Sequence, residues 1–160
     1  MNELLNILQK EVKLHEHLFT LLQKESEGFG RLSGSDLLKL HGEKSRSVRS
    51  SARLEKERIK IVAKIAKSWN MKLEDLTLSV IISRTTEVYS KPLKECFDLL
   101  KSLISEIGKI ADNNSIQALG RLKSVESSIE FMSQLQNGSP TYSDAGKIQK
   151  RTNKISRREA

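Results

Sequence analysis

Apolar residues recur at alternating spacings of three and four along most of this chain, the period of helices that pack lengthwise on one another. Over about residues 2–27 the seam is Leu5, Leu8, Val12, His15, Phe19 and Leu22, and Leu4, Leu18 and Leu21 widen it. Glu27-Gly-Phe-Gly30 breaks the pattern, because glycine weakens a helix interior and suits a helix end. A second helix is predicted over about 35–67. Gly34-Ser35-Asp36 opens it, with Ser35 capping free amides and Asp36 facing the positive end of the helix dipole. Its seam reads Leu38, His41, Ser45, Val48, Ala52, Glu55, Ile59, Val62, Ala66 and Trp69. The first half is polar or small and the second apolar, which predicts loose packing at its start and firm packing near Trp69.

Residues 70–91 support two periods. Leu76, Leu78, Val80 and Ile82 alternate as a strand would, whereas Leu73, Leu76 and Val80 fit a helix. A lone strand would have no partner, so a short helix over about 73–83 is predicted. Pro92 then suits the first turn of a third long helix, over about 92–136. Its seam is Leu93, Phe97, Leu100, Ile104, Ile107, Ala111, Asn114 and Ala118; it shifts by one residue and continues as Leu122, Val125, Ile129 and Met132. At 1.5 Å per residue this helix would span on the order of 65 Å, against about 50 Å for the second. Two arrangements are open for Leu119, Leu122, Val125, Ile129 and Met132: the first helix covers them, or they form an exposed face for a partner helix. Asn137-Gly138 and Pro140 end the helix. The predicted fold is all-α: an elongated antiparallel three-helix coiled-coil-like bundle over 1–136, one short extra helix, and a flexible, disordered basic tail over 137–160.

Composition agrees with narrow apolar seams. Hydrophobic residues make up 37% of the 160, charged residues 30% and aromatics only 4%, too few aromatics for a thick mixed core. The net charge is +8. Residues 137–160 hold six Lys/Arg against two Asp/Glu, so half of that charge sits where no apolar period exists. A basic balance admits nucleic acid, an anionic membrane surface or an acidic protein as partner. Cys96 is the one cysteine, which excludes an internal disulfide and favours a reducing compartment. The start, Met1-Asn-Glu-Leu-Leu5, lacks the features of a signal peptide, and the longest aliphatic run is Val80-Ile81-Ile82. A soluble, cytoplasmic protein is expected.

Chemistry-bearing patterns are few. His15 and His17 point in nearly opposite directions on a helix, and Glu11 with His15 supplies only two ligands, too few for a zinc site. His15 and His41 read as polar seam residues that set register. No nucleophile–base pair, phosphate loop or carboxylate pair is present, so neither catalysis nor a cofactor is expected, and Cys96 beside Phe97 reads as a small core residue. The basic, serine-rich stretch Lys44–Arg53 could meet phosphates. Acidic neighbours (Glu43, Glu55, Glu57) and the absence of aromatics make a solvated helix face the better reading. Tyr142, in Pro140-Thr-Tyr-Ser-Asp-Ala-Gly146, offers apolar area plus one hydroxyl, the chemistry of an interface anchor.

In order and spacing these segments resemble the FlgN family of flagellar export chaperones, almost end to end. Leu4-Leu5-x-x-Leu8-x-x-Glu11 closing with Leu21-Leu22-x-x-Glu25 is similar to the family's first helix. Ser33-Gly-Ser-Asp-Leu37, Glu43-Lys44-Ser45 and Leu54-Glu55-x-x-Arg58 resemble the second. Asp75-Leu-Thr-Leu-Ser79 resembles a short segment of some members. Asp112-Asn113-Asn114 followed by Leu119, Leu122 and Val125 is similar to the asparagine-containing third helix, and Pro140-Thr-Tyr142-x-x-x-Gly146 to the tail signature.

The resemblance implies a cytoplasmic type III export chaperone. It would hold the C-terminal helices of hook-associated (hook–filament junction) proteins, prevent their premature assembly and deliver them to the export gate. Its implied client-binding residues are Asn114, Leu119, Leu122, Val125, Ile129 and Met132. Tyr142 and Gly146 would dock on the cytosolic domain of the gate's membrane protein. The run after Gly146 is more basic and less glycine-rich than the family pattern. No small-molecule substrate is implied, and a homo-oligomer is compatible with the seams. The rival readings are a nucleic-acid-binding helical protein using the basic tail and a structural coiled-coil adaptor.

Overall fold

The computed structural model describes residues 1–136, and every regular element among them is helical: α1 (Asn2–Gly28), α2 (Gly34–Ser68), a 3-10 turn (Leu73–Asp75), α3 (Leu78–Arg84) and α4 (Glu87–Gln136). The all-α bundle is therefore the observed fold. The chain divides into two compact units, Met1–Ser115 and a second beginning at Ile116.

In the first unit α1 and α2 run antiparallel. Three ion pairs fix their alignment: Glu3 with Lys64, Glu11 with Arg58, and Glu25 with Lys44. The start of α4 runs parallel to α1, since Leu8 and Glu11 share a groove with Phe97 and Leu100, and Asn114 lies at Leu22 and Glu25. The core gathers Leu4, Leu8 and Val12 of α1, Ala66 of α2, Leu76, Ile81 of α3, and Leu93, Leu100 and Leu103 of α4. Half-buried Val62, Ile65 and Trp69 pack against it, so α2 does pack most firmly toward its end. Cys96 also packs there, and burial pushes its thiol up from its ordinary pKa, with Glu95 adding to the effect.

The inner face of α2 differs from the apolar count. Leu38, His41, Val48, Ala52, Glu55 and Ile59 of the expected seam are exposed, while Leu40 and Ser47 are buried and Lys44, Leu54 and Arg58 half-buried. The helix is rotated by about one position because its register is fixed by cations reaching acids on α1. The rotation covers the stems of Lys44 and Arg58 and brings their charges to Glu25 and Glu11, at the cost of exposing Leu38, Val48 and Ile59. His15 is half-buried, its Nδ1 2.7 Å from the Glu11 carbonyl oxygen.

Local chemistry sets the helix ends. Ser33, not Ser35, caps α2: its backbone is extended and its Oγ accepts from the Asp36 amide at 3.2 Å. The same hydroxyl donates to Asp36 Oδ2 at 2.7 Å, and this bond, ahead of the Lys39 contact, holds the Asp36 carboxyl below its ordinary value. At the other end of α2, Asn70 takes a positive φ of 52°, a conformation asparagine tolerates. Thr77 caps α3, its Oγ1 accepting from the Val80 amide. Helix α4 begins at Glu87, so Pro92 stands in its second turn rather than its first. The amides of Tyr89 and Ser90 both bond to the Thr86 carbonyl, which nucleates the helix five residues ahead of the proline.

Candidate partner-binding surface

The Asn114 side chain is 3% exposed and Nδ2 donates to the Leu22 carbonyl and to Glu25 Oε2, each at 2.9 Å. Glu25 Oε1 accepts from Lys44 Nζ. One amide thus ties three helices together, and its Oδ1 is buried with no partner among the described residues. Asn114 was expected on a client-binding surface; the structure places it inside the bundle, where it cannot meet an external helix.

From Ile116 onward the helix has a different character. Leu119, Leu122, Val125, Ile129 and Met132 are all between 54% and 60% exposed. Spacings of three and four bring the five to one side of the helix. Three further apolar residues, Ile116, Phe131 and Leu135, are equally exposed and were missed by the heptad reading because they fall outside its seam. Phe131 and Leu135 are four apart and Met132 and Leu135 three apart, so they widen the stripe around its C-terminal end. Their signal in the sequence was plain apolarity in a run otherwise mostly polar, rich in Ser, Glu and Gln. Over residues 116–135 only Gln117 is even half-buried. Eight large apolar side chains on about 30 Å of helix exceed the scattered exposure normal for a surface.

Tyr142 and Gly146 lie outside the described residues. Within the first unit, an open groove of about 450 Å³ is lined by Leu8, Glu11, Arg58, Phe97, Lys101 and Ile104 among others. Its guanidinium is paired with both of its carboxylates, Arg58 Nε lying 3.1 Å from Glu11 Oε1 and Arg58 Nη2 3.9 Å from Glu55 Oε1. No group of three or more His, Cys, Asp or Glu that could hold a metal occurs among the described residues. None of their helices is long and apolar enough to cross a membrane.

A family model described as FlgN protein matches residues 1–150 of the chain. No curated protein and no solved structure matches it.

Proposed function

Because the chain belongs to the FlgN family, it is a flagellar export chaperone in the general sense, its partners are flagellar proteins, and we propose that it holds the C-terminal helical segments of hook-associated proteins before their export. The observation that carries this reading is the exposed stripe Leu119, Leu122, Val125, Ile129 and Met132. An amphipathic client helix laid along it would gain about 25 cal/mol for each Å² of apolar area removed from water. Covering the client's own apolar face is what would prevent premature assembly. Asn114 serves this site from inside the bundle, by anchoring α4 to α1.

Holding and release in this scheme use competing partners. The chaperone acts in the cytoplasm and hands its client to the cytosolic domain of the export gate's membrane protein, with Tyr142 as the docking anchor and Gly146 shaping the segment around it. This division of labour, client on the stripe and gate on the tail, rests on the family's tail signature and on the polar composition after Asn137.

The test is a pull-down from the native cell with wild-type, Leu122→Asp, Ile129→Asp and Tyr142→Ala chains. The expected result is recovery of hook-associated proteins by the wild type and Tyr142→Ala, and their loss with either aspartate variant at unchanged helicity. Tyr142→Ala should separately lose affinity for the gate domain. Unchanged client recovery with both aspartate variants would refute the stripe as the client site.

A further inference from the structure

Helix α2 turns its apolar and ion-paired side inward, and its outer side carries a continuous row of cations. Arg46, Arg49, Arg53, Lys56, Lys60 and Lys67 are all exposed and none has an ion-pair partner among the described residues. Lys64 completes the row and meets only the exposed Glu3 at 4.0 Å. Successive spacings are three, four, three, four, four and three. At 100° per residue the seven fall within an arc of about 80°, and at 1.5 Å per residue they extend over roughly 31 Å. The acids of this helix sit off the row: Glu57 at its edge, Glu43 and Asp36 further round, and Glu55 on the opposite side beside the groove.

We propose that this row is a docking face for an anionic phospholipid surface. The shape of the charge carries the argument. A straight row on a rigid helix can bring every cation to a plane of headgroups at once, whereas on a nucleic acid duplex it meets phosphates only where it crosses a strand. The row contains no aromatic residue, so single-stranded bases find no stacking platform. No large apolar residue lies within the row, and the exposed Val48 and Ile59 stand off its flank, which favours reversible, electrostatic adsorption over insertion. A helix is about 10–12 Å across with its side chains and the Debye length is about 8 Å at physiological salt. Glu55, on the far side, is thus largely screened from a surface that the row touches. Adsorption would confine the chaperone to the plane of the membrane, which client binding on another helix does not require.

Each Lys or Arg held at such a surface strengthens binding about fivefold. The test is co-sedimentation of the full chain with phosphatidylcholine vesicles that do or do not contain phosphatidylglycerol. Binding is expected only with the anionic lipid and should weaken as salt rises. Arg49→Gln, Arg53→Gln and Lys56→Gln together should weaken it on the order of 100-fold, with helicity by circular dichroism unchanged. If the triple variant loses helicity, Arg53→Gln alone is read instead, at about fivefold. Lys147→Gln, Lys150→Gln and Arg151→Gln remove equal charge from the tail and should have a much smaller effect. Three results would overturn the proposal: no binding of the wild type to phosphatidylglycerol vesicles, equal losses in the two triple variants, or tighter binding to a short oligonucleotide than to the vesicles at the same salt.

Discussion

Replacing Arg58 with Ala removes the one cation among the described residues that contacts the buried Glu11 carboxylate. The Glu11 side chain is 8% exposed and that of Arg58 32%, and the Nε–Oε1 distance is 3.1 Å. His15 offers no substitute, since its Nδ1 is engaged with the Glu11 backbone carbonyl. Breaking a fully buried pair destabilises by about 3–5 kcal/mol. Arg58 keeps a third of its surface in water, so solvent reaches the vacated space, and the expected loss is nearer 2–3 kcal/mol. At the scaling of a chain this size that is a fall in Tm of roughly 6–10 °C. The double variant Glu11→Leu, Arg58→Leu removes both charges and should be more stable than Arg58→Ala, because no uncompensated carboxylate remains. Urea unfolding followed at 222 nm measures all three chains. A loss below about 0.5 kcal/mol for Arg58→Ala, or a double variant less stable than Arg58→Ala, would refute the claim that this pair seats α2 on α1.

Leu93 is fully buried where α4 joins the core, so Leu93→Ala should destabilise by about 2–5 kcal/mol in the same unfolding assay. Pro92 donates no amide to the Val88 carbonyl and sits inside α4. Pro92→Ala should raise stability, by up to about 3 kcal/mol if the missing bond forms fully. Asp36 has its pKa lowered in the fold, so its contribution is present above the unfolded value of 3.8 and is lost as pH falls through the lower folded value. Asp36→Asn should flatten the acid limb of stability against pH, and a carboxyl NMR titration should place Asp36 below 3.8.

Much of the first unit was legible because its apolar residues are both numerous and buried. Leu4, Leu8 and Val12 in α1, and Leu93 and Leu100 in α4, declared their faces by spacing alone. The orientation of α2 was not legible, because its inner face is chosen by Lys44 and Arg58 and by acids on another helix. Hydrophobic counting ranks those side chains as outer, and no single-helix pattern reveals a partner far along the chain. The start of α4 was illegible for a related reason: proline suits a first turn, but the Thr86 carbonyl gathers two amides ahead of it. The site was half legible. Periodicity found Leu119 to Met132 but could not say whether they were covered; it set Asn114 in the seam, where hydrogen bonds across the bundle bury it, and only the resemblance drew Asn114 to the client surface.

That buried amide lifts a degeneracy. Along the inner side of α4, Leu100, Leu103, Ile107 and Ala111 are all apolar, and sliding the helix by two turns against α1 would exchange one apolar contact for another at little difference in energy. Only Asn114 distinguishes the alignments. In its own place it meets the Leu22 carbonyl and Glu25; in a slipped one it would face hydrocarbon with both ends of the amide unsatisfied. A buried amide is less stabilising there than an apolar side chain would be, and it gives uniqueness of alignment in return. Asn114→Leu would therefore give a protein no less helical, whose α4 has lost its phase and occupies several alignments instead of one.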